Sequence, residues 1–203
     1  MHNLSYERAA CSAAAPNAPL KLSEQSKRYA KNKKKIATMN YANQIEIDEF
    51  SIKYQDDVLN LIVNIQQKEF GIDITAADQP DLCKIKDFYQ INKGNFWVAL
   101  FNKKVVGTVS LLDIGHEQAA LRKMFVDKEY RGEKYQVAHA LLSALLNWAQ
   151  SNDIREIYLG TTPKFLAAHR FYEKNGFKEI AKKCLPRTFP IMKVDTKFYK
   201  LAL

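Results

Sequence analysis

Two short stretches of this chain hold residues that could do chemistry together. In the first, the apolar run Met124-Phe125-Val126 leads through Asp127-Lys128-Glu129-Tyr130-Arg131-Gly132 into an amphipathic helix expected from about Glu133 to Gln150. The first turn of a helix presents unpaired N–H groups and the positive end of its dipole, so a phosphate can be held there without a specialised side chain. Arg131 and Lys134 add positive charge beside that turn. The same residues also suit an ordinary strand-to-helix connection tightened by Gly132, and by itself the stretch leaves both readings open. The second stretch, Ala168 to Phe177, lies one strand further on. Its Tyr172 is either a core aromatic on an amphipathic helix or a phenol in a reactive place. With a reference pKa of about 10, a phenol stays protonated at neutral pH and can donate to a leaving group.

The surrounding pattern supplies the elements that must position these residues. Ile45, Ile47 and Phe50 give a first strand over Gln44 to Ser51. Val58, Leu61, Ile62 and Ile65 fall on one face of a helix from about Gln55 to Glu69, stopped by Gly71. Pro80-Asp81 opens another helix with Leu82, Ile85, Phe88 and Tyr89 on its face, ended by Gly94-Asn95. Strands follow at Phe96 to Phe101, Val105 to Leu112 and Ala119 to Val126, with a turn at Asn102 to Lys104. Val137, Leu141, Ala144, Leu145 and Trp148 define the long helix, and Ile154 to Gly160 a buried strand. A strand–helix–strand unit of this length needs a right-handed crossover, so the strands at its two ends are expected to be parallel neighbours. Pro163 is expected to start the last helix, stopped by Asn175-Gly176, before strands at Phe177 to Ala181 and Thr196 to Leu203. The result is an α/β (α+β) layer protein with a mixed sheet.

Charge is unevenly placed. Residues 1–41 carry eight basic and two acidic residues, which is +6 of the chain's +9. The basicity therefore describes an N-terminal extension rather than the body, and does not argue that the folded domain binds nucleic acid. That extension, with small residues from Ala9 to Pro19 and a basic run to Lys35, has too little apolar surface to offset its ordering entropy. It is expected to be mostly disordered, with a frayed helix near Ser23 to Lys35. Residues 42–203 then form the folded domain. Cys11, Cys83 and Cys184 are odd in number and without a C-x-x-C pair, which indicates reduced thiols in a cytoplasmic protein rather than a disulfide framework or a zinc site. No window approaches the length of apolar chain that a membrane span requires.

From about residue 45 onwards the chain resembles the GNAT superfamily of acyl-CoA-dependent amine N-acetyltransferases. The family's V-x-x-x-x-R-G-x-G-x-G/A element is similar to Val126 followed by Arg131-Gly132-Glu133-Lys134-Tyr135-Gln136, and its A-x-x-F/L-Y-E-K-x-G-F element to Ala168 through Phe177. The resemblance implies a single GNAT-like domain, a twisted sheet of about six or seven strands flanked by about four helices. It implies acetyl-CoA as co-substrate, no metal, and direct attack by a primary amine of a small molecule, amino acid or peptide on the thioester. Backbone groups of Met124, Phe125 and Val126 would pair with the coenzyme's amides, and the N–H groups of Gly132, Glu133, Lys134, Tyr135, Gln136, Val137 and Ala138, beside Arg131, would hold the pyrophosphate. A splay between the strand ending at Val126 and the one starting near Ile154 would admit the thioester. Tyr172 would act as general acid toward the departing thiolate.

The chain also departs from the family pattern. Lys134 and Gln136 replace two usual glycines of the phosphate loop, so a degenerate acyl-CoA-binding module without catalysis is the alternative function. Ala120 stands where an acid is often found, which leaves Glu117 as the candidate base, with His116 or relayed water behind it. His169 and His139 are expected at the surface. The acceptor site is expected among the first two helices, the strand near Leu111 to His116 and the loop Cys184 to Met192, with Arg187 and Lys193 as candidate cations. A homodimer is compatible with all of this, whereas the nucleic-acid reading would require the basic extension to act alone.

Overall fold

The computed structural model describes residues 44–203, together with Glu24, Lys27, Arg28, Lys31, Tyr41 and Ala42. The chain divides into two units, Met1–Lys35 and Ile36–Leu203. In the first, Glu24, Lys27, Arg28 and Lys31 are helical and exposed. The disorder expected for residues 1–41 otherwise lies outside the described residues.

The second unit is organised by one mixed sheet. Its strands are β1 (Ile45–Glu49), β2 (Asn95–Phe101), β3 (Lys104–Gly115), β4 (Gln118–Val126), β5 (Glu156–Thr161), β6 (Lys178–Ile180) and β7 (Lys197–Ala202), in the order β1-β2-β3-β4-β5-β7-β6. β1 to β4 form an antiparallel meander. β4 and β5 are the expected parallel neighbours, and β7 inserts between β5 and β6 antiparallel to both. Among the described residues from Ile45 onwards, five α-helices accompany the sheet: α1 (Gln55–Asn64), α2 (Pro80–Cys83), α3 (Ile85–Tyr89), α4 (Val137–Ser151) and α5 (Leu166–Lys174). α1 continues through a wider π turn at Ile65–Glu69.

Alternation along each strand divides the apolar residues between two faces. On one face Val106, Val109, Ala119, Leu121, Ile157 and Leu159 pack against Leu141, Leu142 and Leu145 of α4 and Tyr172 of α5. On the other, Phe96, Val98 and Leu100 meet Val58 and Ile62 of α1, Leu82 of α2, and Ile85 and Tyr89 of α3. Gly107 lets α4 lie close on β3, since a Cβ there would come within 2.8 Å of Val137 Cγ1.

Three local expectations are corrected. The helix read as one unit after Pro80 is two short helices, broken at Lys84, which adopts φ −134°. α4 begins at Val137 rather than near Glu133, because Gly132 at φ 84° and Gln136 at φ 54° take left-handed conformations that a right-handed helix cannot contain. α5 begins at Leu166, and Pro163 sits in the preceding turn.

Candidate active site

β4 and β5 separate where the chemistry was expected. Their hydrogen-bonded register covers only Gln118, Ala119 and Ala120 against Glu156, Ile157 and Tyr158. Beyond Ala120 the β5-facing edge of β4, from Leu121 to Val126, has no strand beside it among the described residues. The opposite edge stays paired with β3 up to Gly107–Val126. Backbone groups on this edge between Met124 and Val126, other than the Val126 carbonyl that accepts from Arg131 Nε, thus line one side of an opening in the sheet, where they can pair with an extended amide-bearing ligand or with a developing oxyanion.

Tyr172 closes that opening from below. It is 5% exposed, packs on Phe177 and Tyr199, and lines a cavity of about 140 Å³ with Met124, Phe125 and Gly160. Burial raises its phenol far above the usual tyrosine range, so the hydroxyl is a proton donor at every working pH.

The turn before α4 is built for exposed backbone. Arg131 Nε donates to the Val126 carbonyl at 2.7 Å, tying the turn to the end of β4, and Ala140 N donates to Gln136 O at 3.0 Å as the first intrahelical bond. Val137, Ala138 and His139 therefore occupy the positions whose N–H groups have no partner within a helix. Arg131 is not free charge: its guanidinium is forked onto the Glu69 carboxylate. Lys134 lies over the rings of Tyr41 and Tyr135, at 4.3 and 4.5 Å, in an aromatic group that includes Phe101 and Tyr130. The lysine that replaces a small residue is thus folded onto aromatics, and Gln136 points its exposed side chain outward from a left-handed N-cap.

The upper wall of the cavity holds charges that sequence reading did not single out. The β3–β4 register slips between Thr108 and Ser110, leaving an extra residue in β4, and Lys123 takes φ 51° at this bulge. Adjacent strand residues normally face opposite sides. The bulge instead lets Arg122 and Lys123 both approach Asp81 of α2, at 4.0 and 3.1 Å. Their side chains are only 12% and 6% exposed. Asp81 also accepts from Tyr89 at 2.5 Å, and Lys123 donates to Gln79 at 2.8 Å, which is paired with Gln66. Burial alone would raise Asp81, but Lys123, Tyr89 and Arg122 together hold it below the ordinary carboxylate range. Burial lowers Lys123 in spite of Asp81. Two buried cations share this one carboxylate.

A family comparison can now be read against this geometry. Residues 59–177 match the model of the acetyltransferase (GNAT) family. The chain belongs to that family. An acetyltransferase of the GNAT family from Staphylococcus aureus Mu50 is 40% identical, with a TM-score of 0.75 over 78% of this chain and 98% of the other. PaiA N-acetyltransferase from Thermoplasma acidophilum, solved in complex with coenzyme A, shares the fold at 17% identity and a TM-score of 0.61, over 78% of this chain and 99% of the other. Among curated proteins, N-acetylaspartate synthetase of Xenopus tropicalis is 39% identical over 111 residues, 53% of this chain. The chain spans about two fifths of that relative's length, 40%.

In this GNAT domain the first motif runs along the unpaired edge of β4 into the turn before α4, and Tyr172 of the second lies on the same face of the sheet as α4, lining the cavity with Met124 and Phe125. Glu117 is not brought there. It lies in the β3–β4 turn, paired with Arg155 at 2.9 Å, at the end of β4 remote from Met124 and outside the cavity lining. His169 is buried rather than exposed, its Nε2 at 3.0 Å from the Thr162 carbonyl, where it pins the turn before α5. His139 is exposed, as expected. Phe189, Pro190 and Met192 of the anticipated loop do line the cavity, whereas the strand near Leu111 to His116 does not, and Arg187 and Lys193 are exposed outside it. Among the described residues no helix is long and apolar enough to cross a membrane, and no cluster of His, Cys, Asp or Glu could hold a metal ion.

Proposed function

We propose that the protein transfers the acetyl group of acetyl-CoA to a primary amine, by direct attack of the neutral amine on the thioester. The observation that carries this reading is the parting of β4 and β5 beyond Ala120, with Tyr172 at its floor. The residues present fit the coenzyme. The unpaired edge from Met124 to Val126 can take its amides, and the α4 turn from Gly132 to Ala138 can take its pyrophosphate on backbone N–H groups. When bound, acetyl-CoA supplies the activated acyl group. Tyr172 then donates its proton as the sulfur departs, and the β4 backbone N–H groups face the carbonyl oxygen.

The acceptor is an amino acid or similar small amine carrying a carboxylate. Arg122 and Lys123 line the cavity, and a carboxylate of the acceptor can take a charge-assisted hydrogen bond from either cation. The related N-acetylaspartate synthetase is consistent with such a substrate. The exposed thiols Cys83 and Cys184 suit a reducing, cytoplasmic setting. Mixing the protein with acetyl-CoA and a panel of amines, L-aspartate, L-glutamate, their amides and simple alkylamines, and following thiol release tests both parts. Turnover with dicarboxylic amino acids above their amides is expected. Measurable coenzyme binding with no thiol release for any amine would instead favour a non-catalytic acyl-CoA-binding module, a reading that draws on Lys134 and Gln136 in the phosphate turn.

A further inference from the structure

The proposed reaction begins from an ammonium ion, because an alkylamine of reference pKa about 10.4 cannot attack while protonated. Glu117 is out of reach, and Asp81 is occupied by Tyr89, Lys123 and Arg122. We infer that Asp195 is the general base of this site, taking the proton from the acceptor's ammonium on the face of the sheet opposite Tyr172. The inference rests on the acetyl-transfer reading above.

Placement is the first ground. Asp195 lines the same cavity as Tyr172, Met124 and Phe125, yet comes from the loop before β7. The second is Gly160 of β5, the strand that forms one lip of the opening. A Cβ on Gly160 would stand 2.5 Å from Asp195 Oδ2 and 2.6 Å from its Cγ, so the carboxylate lies directly on the strand, in space that any side chain would fill. Residues two apart on a strand share a face. Gly160 therefore faces with Tyr158, which packs on Phe189 and Phe198, whereas Tyr172 packs with Ile157 and Leu159 on the other face. Acid and base thus approach the opening from its two sides.

The carboxylate is held but not consumed. Met192 N donates to Oδ2 at 3.0 Å, and Thr196 N donates to the Thr161 carbonyl at 3.0 Å, fastening the loop to β5. Among the described residues no hydrogen bond engages Oδ1. The charged group facing Asp195 is Arg122 of β4, while Lys123 and Asp81 are paired with each other and Tyr172 is neutral. Burial raises the proton affinity of Asp195 above that of an ordinary carboxylate, and the Met192 amide and Arg122 oppose this. Such a carboxylate is a stronger base than a solvated one.

The proton balance closes. The ammonium N–H bond breaks and its proton goes to Asp195. The nitrogen lone pair forms the C–N bond, the C–S pair leaves on sulfur, and Tyr172 protonates the thiolate. The second proton, lost from nitrogen as the amide forms, restores the phenol, and Asp195 releases its own proton to solvent.

Asp195→Asn tests the assignment. With L-aspartate, or the panel amine turned over fastest, kcat/KM at pH 7 should fall about 10²- to 10⁴-fold. The variant's rate should then keep rising with pH toward the pKa of the free amine, whereas the unaltered protein levels off once Asp195 is ionised. Aminooxyacetate, whose nitrogen is already neutral at pH 7, should be acetylated by both proteins within about 3-fold, because no proton need be removed first. Thermal unfolding and calorimetric acetyl-CoA affinity check that fold and coenzyme site persist. A variant retaining more than about one third of kcat/KM with the ammonium acceptor, or losing the same factor with aminooxyacetate, overturns the assignment, since a base deletion is selective for protonated nucleophiles. Where aminooxyacetate is a poor acceptor the pH profile decides. Failure of the unaltered protein to acetylate any amine removes the acetyl-transfer reading, and this inference with it.

Discussion

Replacing Tyr172 with Phe separates packing from proton transfer at the floor of the opening. The ring is buried among Phe171, Phe177 and Tyr199, and Phe keeps all of those contacts. Loss of one hydroxyl should change stability by no more than about 1 kcal/mol, the scale of a single net hydrogen bond. Catalysis should respond far more. Removing a general acid costs about 10²-fold or more, and at 1.36 kcal/mol per decade that is roughly 2.7 kcal/mol of transition-state stabilisation. Because the thiolate departs only in the transition state, the loss should appear in kcat with acetyl-CoA affinity nearly unchanged. The pH dependence has a definite sign. Burial raises the Tyr172 phenol, so its acid form persists as pH rises through the ordinary tyrosine range, and the unaltered enzyme should show no alkaline fall near pH 10. Stopped-flow thiol detection from pH 6 to 10, with urea unfolding of both proteins, measures every part. A Phe variant with kcat within about 3-fold of the parent would refute the acid role, and one destabilised by several kcal/mol would refute the packing argument.

Lys123→Met should cost about 1.5–3 kcal/mol in urea unfolding, because Asp81 loses its nearest cation and keeps only the Tyr89 hydroxyl and Arg122 at 4.0 Å, and Lys123→Met with Asp81→Asn should recover part of that loss. Asp81 is held below the ordinary range, so its contribution is present above the unfolded value of about 3.9 and fades as pH falls through the folded value; acid titration of the unfolding midpoint should show this in the parent and not in the double variant. Gly160→Ala should displace the Asp195 carboxylate and lower kcat at least about 10-fold, while overpacking costs stability about 1–3 kcal/mol, as read by thiol release beside thermal unfolding. Glu69→Gln should release Arg131 toward the α4 turn and tighten acetyl-CoA in calorimetry by a few-fold, with unfolding changed by about 0–1 kcal/mol because the pair is partly exposed.

Much of the scaffold was legible because its signals are local. Apolar spacing through Val137, Leu141 and Leu145 specifies one helix face, and those residues are buried against the sheet. The parallel pairing of β4 and β5 followed from the handedness of a single strand–helix–strand connection. Tyr172 was legible through its motif. Helix starts were less so: Glu133 and Pro163 are sound first-turn residues, but Gln136 takes a left-handed conformation that its residue type does not announce.

The sequence by itself determined the layer architecture, the turn after Val126 and the tyrosine beneath it, because each depends on residues within a few turns of one another. Only the tertiary structure decided which charged groups line the cavity. Arg122 and Lys123 read as neighbours on opposite faces of a strand, and it is one bulged residue, fitted against β3, that brings both to Asp81 some forty residues earlier. Glu117 is near the motif in sequence and far in space, since an extended strand converts a few residues into a long distance. Asp195 is remote in sequence yet lies on Gly160, and that contact exists only once β7 has inserted beside β5. Whether a charge is buried or solvated depends on what the fold places against it, and no local pattern of residue types carries that information.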